Sequence, residues 1–378
     1  YQRQPEKGQR LFDLAQAQYW IGFVALEQGR YDEAGLWFTK YRDSGIKLAA
    51  MDRGNAAWQQ EQIYGYQNLA VLDERLGDYE SAKKAMLTIR QIYAKWLQQR
   101  PDDYALRFED SDKASWLGSL ALQQGNLKLA ESYFIEQNEA IQGNINAEPG
   151  NAKWQEYRLT ALQLLLDAQI KLGKLAFARD TNASAMSIAE KLAAQDPKNN
   201  VWQLSLGVSN YWNAVLANKN RADLAERAVT ILSQAHSIEP NSESLSRWLV
   251  RALVLQGQLN LADGDIDRAL ELAQRAGEVI EPFLKSEPNE KIQLTKAQVL
   301  ILKAEISLEI GQQKDAEAVL NEAMALLSES NASELSFVRL DELVRVLHLL
   351  GQQEKAVEYR KRLDAASFVP LRPYPRMR

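Results

Sequence analysis

The sequence contains no cysteine, which excludes disulfides, thiolate zinc sites and cysteine nucleophiles together. Histidine is nearly as scarce. His236 and His348 are the only two, and each falls alone in a helical pattern, which predicts a structural or surface role. No Gly-rich phosphate loop, His-x-x-x-His string or Gly-x-Ser-x-Gly string occurs, so common phosphate, zinc and serine-hydrolase chemistries lack their local signature. Asp263-Gly264-Asp265 lacks the spaced ligands and closing Glu of a calcium loop and reads as a turn. No metal or cofactor is expected. No apolar run approaches a membrane span, and no signal peptide is recognisable. The chain opens on Tyr1 rather than Met, as a processed product or an excised piece would. Net charge is −5 with both signs interspersed, so no field invites nucleic acid or an anionic membrane.

What is present is length and periodicity. At 378 residues, 46% hydrophobic and 25% charged, the chain is too long for one ordinary core. A repeat array reaches this size because each unit packs only on its neighbours. Gly29, Gly77, Gly125 and Gly173 are spaced by 48 residues, as are Pro101, Pro149 and Pro197. Trp58, Trp154 and Trp202 keep the same phase, each inside Asn-x-x-Trp-Gln. Gly264, Gly311 and Gly351 continue the series, and a degenerate turn at Asn218-Lys219-Asn220 fills the gap after Gly173. Five residues after each of these seven glycines stands alanine, from Ala34 and Ala82 to Ala316 and Ala356. Seven residues before, the chain is usually small, as at Gly22, Ala70, Gly118, Gly257 and Ala304.

This pattern describes a helical hairpin. Trp58 to Leu76 carries apolar residues at helical spacing, Gly77 supplies a left-handed stop, and Tyr79 to Gln98 resumes the period until Pro101 ends it. The small residues fall where two helices cross, and Asp or Asn at the corner caps the next helix. Phase-locked Trp58, Trp154 and Trp202 read as packing residues. The predicted fold is all-α, a right-handed α-α superhelix of about eight helix-turn-helix repeats. The units fall at about 5–50, 55–99, 103–146, 151–195, 199–238, 242–285, 289–329 and 332–364, making one solenoid over 1–364. The opening run Gln2 to Arg10 and the short, charged last unit suit terminal caps.

The string Ala70…Gly77-Asp78-Tyr79-Glu80-Ser81-Ala82, and its copy Gly22…Gly29-Arg30-Tyr31-Asp32-Glu33-Ala34, resembles the tetratricopeptide-repeat (TPR) consensus. The resemblance covers nearly the whole chain and departs in period, which is 48 here against 34 in typical TPR units. It implies lengthened helices, similar to repeats in large bacterial signalling proteins, and a concave groove lined by the first helix of each pair. Trp20, Asn68 and Trp116 stand nine residues before a repeat glycine, in that groove position. In some TPR domains an Asn here helps to clamp a partner's terminal carboxylate. The neighbouring groove positions would then be basic, whereas here they are Gln16, Tyr64 and Asp112, with Arg75 and Lys171 as further groove candidates. Trp20, Tyr64, Asn68, Arg75, Trp116 and Lys171 are therefore the candidate partner-binding set. An aromatic groove for an apolar or extended peptide and plain packing are both open for the two tryptophans.

Residues 365–378 form a tail whose Pro370, Pro373 and Pro375 rule out helix. It reads either as a surface tail or as a proline-rich ligand for the chain's own groove, a neighbouring copy or another module. Three functions are carried forward. The first is a non-catalytic scaffold binding a protein or peptide, with self-association open. The second is a sensory or regulatory segment of a larger bacterial signalling protein, in cytoplasm or periplasm or on a membrane-anchored chain, binding a small ligand or mediating oligomerisation. The third, an enzyme working through Glu pairs inside the superhelix, has no motif behind it.

Overall fold

The computed structural model describes residues 5–285, 288–328 and 335–375. The described residues form sixteen α-helices and one short 3-10 turn, joined by tight corners. The first eight are α1 (Pro5–Glu27), α2 (Tyr31–Met51), α3 (Ala56–Arg75), α4 (Tyr79–Gln99), α5 (Tyr104–Gln123), α6 (Leu127–Ala147), α7 (Ala152–Lys171) and α8 (Leu175–Gln195). The others are α9 (Asn200–Leu216), α10 (Arg221–Ile238), α11 (Glu243–Ala262), α12 (Ile266–Ile280), α13 (Glu290–Glu309), α14 (Gln313–Ser328), α15 (Phe337–Leu349) and α16 (Gln353–Ala365). The end of the seventh expected unit at 329, the start of the eighth at 332, the first residues of the opening polar run and the last three of the tail lie outside the described residues.

The turns follow from residue type. All seven repeat glycines have positive φ, from 67 to 83°. At Gly77 the conformation closes α3: the Gly77 N–H donates to the Glu74 carbonyl and the Asp78 N–H to that of Asp73, so two orphan carbonyls are satisfied. The turn with no glycine uses Asn220 instead, at φ 55°, the residue type that best tolerates this region after glycine. The alanine rule extends to this turn as well, at Ala225. Ala225 and the seven phase-locked alanines are all fully buried.

The small residues upstream also find their reason. A Cβ on Gly22 would lie 2.7 Å from the Phe38 ring, one on Gly118 2.6 Å from Phe134, and one on Gly257 2.7 Å from Leu302. Ala70 and Ala304 are fully buried. The corners are capped as expected at Asn55, Asp103, Asn151, Asn199 and Asn289, whose side-chain oxygens accept backbone N–H bonds. Ser242 stands at the equivalent corner without making that bond. Asp265 accepts from the Arg268 N–H and caps α12, so the Asp-Gly-Asp string is a turn and a cap.

Two compact units are distinguished: α1 to α5 with most of α6, and the start of α6 with α7 onward. In the first, α2 and α3 approach backbone to backbone. A Cβ on Gly45 would meet the Glu61 carbonyl carbon at 2.7 Å, and one on Gly65 would meet Arg42 Cα at 2.4 Å. Glu61 is buried there, accepting from the Tyr41 hydroxyl at 2.7 Å and the Gln16 amide at 2.8 Å. Burial raises its pKa while those two bonds lower it. In the second unit a continuous core runs from Leu166 to Ile306 through Trp212, Leu232, Leu253 and Ile280.

Trp154 is buried; Trp58 and Trp202 are half-buried in packing clusters, with the Trp202 indole donating to Glu156 at 2.8 Å. Among the described residues, no helix is long and apolar enough to cross a membrane.

Candidate functional site

Five of the six candidate groove residues lie in the first unit. Trp20 and Tyr64 are 57% and 44% exposed. Trp20 stands edge-on to Tyr19 and Phe23, with ring centroids at 5.1 and 5.9 Å. Asn68 donates its amide to the Tyr64 carbonyl one turn back, at 2.8 Å. Arg75 reaches Glu27 at 3.3 Å across α1 and α3, and the Trp116 indole donates to Glu74 at 2.9 Å. Asp112, at the position where a clamp would need a base, is paired with Lys113 at 2.9 Å.

Lys171 belongs to the second unit, paired with Asp167 one turn away on α7. Its carbonyl accepts from the Val369 N–H at 2.8 Å. That contact introduces the main feature of this unit: residues 367–375 leave α16 and run extended along a cavity. Ser367 turns the chain in the left-handed region at φ 59°, and the Phe368 ring stacks on Phe337 at 6.3 Å. Val369 sits against Gly173, where a Cβ would lie 2.9 Å from it.

Side chains then grip the tail backbone. Arg345, almost fully buried on α15, donates to the carbonyls of Arg372 at 2.9 Å and Pro373 at 3.1 Å. Arg372 points away, into Glu305 of α13 at 3.2 Å, and the Gln258 amide oxygen accepts from it at 2.8 and 3.1 Å. The Tyr374 hydroxyl donates to Asp341 at 2.6 Å. Its ring stacks on His348 at 5.2 Å, with the guanidinium groups of Arg345 and Arg360 each 5.5 Å from its centroid. His348 is thus a packing surface for the tail, and burial lowers its pKa. Burial and the adjacent Glu342 push Asp341 up to about 6, against the Tyr374 bond and the guanidinium charges.

The tail walls one side of a cavity of about 490 Å³. Much of the rest comes from the two groove positions named in the first unit, continued along the chain. Nine residues before a turn stand Tyr211, Leu255 and Glu342; thirteen before stand Arg251, Gln298 and Val338, and all six line the cavity. The sequence analysis stopped at Lys171 and so did not reach the five that precede Gly264, Gly311 and Gly351, and Tyr211 precedes a turn with no glycine to count from. Arg345, Asp341 and Glu305, which hold the tail, had no periodic signal to mark them.

No family model and no curated protein sequence matches the chain. Solved structures do. The apo form of RapI aligns with a TM-score of 0.54 at 12% identity, covering 81% of this chain and 97% of that one. A tetratricopeptide-repeat protein from Parabacteroides merdae aligns with a TM-score of 0.46 at 12% identity, covering 93% and 98%. With the sixteen tandem helices, the glycine turns and the buried alanines, the fold is an all-α, TPR-like helical-repeat solenoid.

Proposed function

We propose that this chain is a non-catalytic scaffold that holds an extended segment of another protein against the first helices of its repeats. The first units are a lengthened variant of the TPR, about 48 residues each, so their groove positions recur on longer helices, whereas the last pair, α15 and α16, has 13 residues in each helix. Trp20, Tyr64, Asn68, Arg75 and Trp116 form the binding face of the first unit, with Lys171 contributing in the second. The observation that carries the reading is the chain's own tail. The second unit holds a proline-bearing segment in extended form through its backbone carbonyls, which is how a groove reads a peptide whose side chains vary. Helices fixed by packing also lose little freedom on binding. A segment like the tail is the fitting partner: extended, proline-rich, with an aliphatic, an Arg and an aromatic residue. A role in bacterial signalling rests on the sequence resemblance alone.

The test leaves the groove intact and loosens its occupant. In the full chain carrying Arg372→Ala and Tyr374→Ala, a labelled peptide of residues 366–375 should bind in trans with a micromolar Kd. The unaltered chain should bind it about a hundredfold more weakly, because a tethered tail competes at high effective concentration. For the first unit, the readout is capture of a partner from the native organism with Trp20→Ala, Asn68→Ala and Trp116→Ala combined. Retention of the partner by a folded triple variant sinks that half of the reading.

A further inference from the structure

Two cavities of the second unit, about 490 and 230 Å³, meet at the same three side chains: Asp167, Trp212 and Arg251. Arg251, half-buried on α11, sits inside an aromatic cluster. Its guanidinium carbon is 4.2 Å from the Trp248 ring centroid, 5.2 Å from Tyr211 and 5.5 Å from Trp212. The three rings pack edge to face at 5.0 to 6.2 Å, which fixes the platform. The neighbouring charges are matched. Lys171 holds Asp167, Arg247 holds Glu243 at 3.1 Å, Arg372 holds Glu305, and Arg345 lies 3.5 Å from Glu342 and bonds the tail. Arg221, exposed at the rim, donates to the Ala214 carbonyl at 3.1 Å. Among the described residues Arg251 alone of this group has neither a carboxylate nor a hydrogen-bond acceptor.

A guanidinium held over aromatic faces keeps its in-plane N–H donors, and those form a fork that fits a carboxylate with two parallel bonds. Around it the larger cavity is walled by Ile170, Val254, Leu255, Leu259 and Ile301, and closed on one side by Leu371 and Pro373 of the tail. Its volume falls within the range of small-molecule sites, roughly 300–1,000 Å³. We propose that the second unit binds a small monocarboxylic acid with a flat apolar body, its carboxylate on Arg251 and its body between these aliphatic walls. Arg251 is the inner-wall cation with no carboxylate of its own, which fits one carboxylate there, while Arg221 stays at the exposed rim on the Ala214 carbonyl. Because the tail is one wall of the site, the bound acid also favours the docked tail. A ligand that requires this wall holds it in place by the same free energy that the wall lends to binding.

Titration calorimetry and tryptophan emission on the full chain test this, with phenylpropionate and indole acetate as probes and phenylpropanol as the uncharged control. Both acids are expected to bind by calorimetry with a Kd below about 1 mM, and phenylpropionate to change the tryptophan emission of the chain, a change absent in Trp212→Phe, with the alcohol about tenfold weaker. Arg251→Gln is expected to cost the acids about tenfold and leave the alcohol unchanged, at an unaltered circular dichroism spectrum. Should that variant fail to fold, Arg251→Lys keeps the charge, loses the paired geometry, and is expected to weaken the acids by a smaller factor. Equal binding of acid and alcohol, indifference of the acids to both Arg251 variants, or no binding at about 5 mM would overturn the proposal. So would tighter binding of a capped peptide bearing the same carboxylate on a Glu side chain, which would assign Arg251 to a protein ligand instead.

Discussion

The Tyr374 hydroxyl donates to the Asp341 carboxylate at 2.6 Å, so the end of the described tail is latched to α15 by a group whose pKa is lifted to about 6. An unfolded Asp titrates near 3.9. The folded state therefore holds this proton more tightly. The contribution is fully present below about pH 4 and is lost as pH rises through about 6. Measured as the difference between Asp341→Asn and the unaltered chain in urea melts, the variant is expected to gain on the order of 2 kcal/mol between pH 4 and pH 7.5. A difference that stays flat across that window would refute the rise that burial and Glu342 impose on Asp341.

Arg345 supplies the two donors on the tail carbonyls from a buried position. Charge-assisted bonds of this kind contribute about 1.5–3 kcal/mol each. Arg345→Ala is expected to release the tail and to speed chymotrypsin cleavage after Phe368 by more than about tenfold, while the helical signal at 222 nm stays within about 10%. Unchanged cleavage would show that Arg372 and Tyr374 hold the tail without it.

Two glycines separate packing from conformation. Gly65 faces Arg42 Cα where a Cβ would come within 2.4 Å, whereas Gly143, inside α6, has nothing within 4 Å. Gly65→Ala is expected to push α2 from α3 and cost about 3 kcal/mol. Gly143→Ala is expected to gain about 0.5–1 kcal/mol by removing freedom from the unfolded chain. Thermal melts of the two variants read both signs.

Glu61 joins Tyr41 and Gln16 in the first unit. Glu61→Ala leaves a buried hydroxyl without its acceptor and a gap between α2 and α3. The expected loss is about 2–4 kcal/mol by chemical denaturation. Glu61→Gln, which keeps the volume and an acceptor, should recover more than half of it.

The array was legible in the sequence because its cause is local. A left-handed turn needs Gly77 or Asn220, and a helix crossing admits only a residue such as Ala82 or Gly118. Each of those constraints repeats with the period. The cavity lining was legible in part: the positions of Trp20 and Tyr64, counted back from Asn220 and Gly264, lead to Tyr211 and Arg251. The docking of the tail was not legible. Three prolines forbid helix but do not say where the chain lies. Its partners Lys171, Glu305, Asp341 and Arg345 come from three separate helices and share no period.

The tail contacts also differ from the rest in sequence separation. Most helices pack on the next in the chain, so little loop entropy stands in the way of growing the array from any point. The Arg372 to Glu305 pair spans 67 residues, and the Val369 to Lys171 bond spans more still. Each of these contacts closes a longer loop than a contact between neighbouring helices, so the docked tail depends on the repeats from α7 to α16 being in place together.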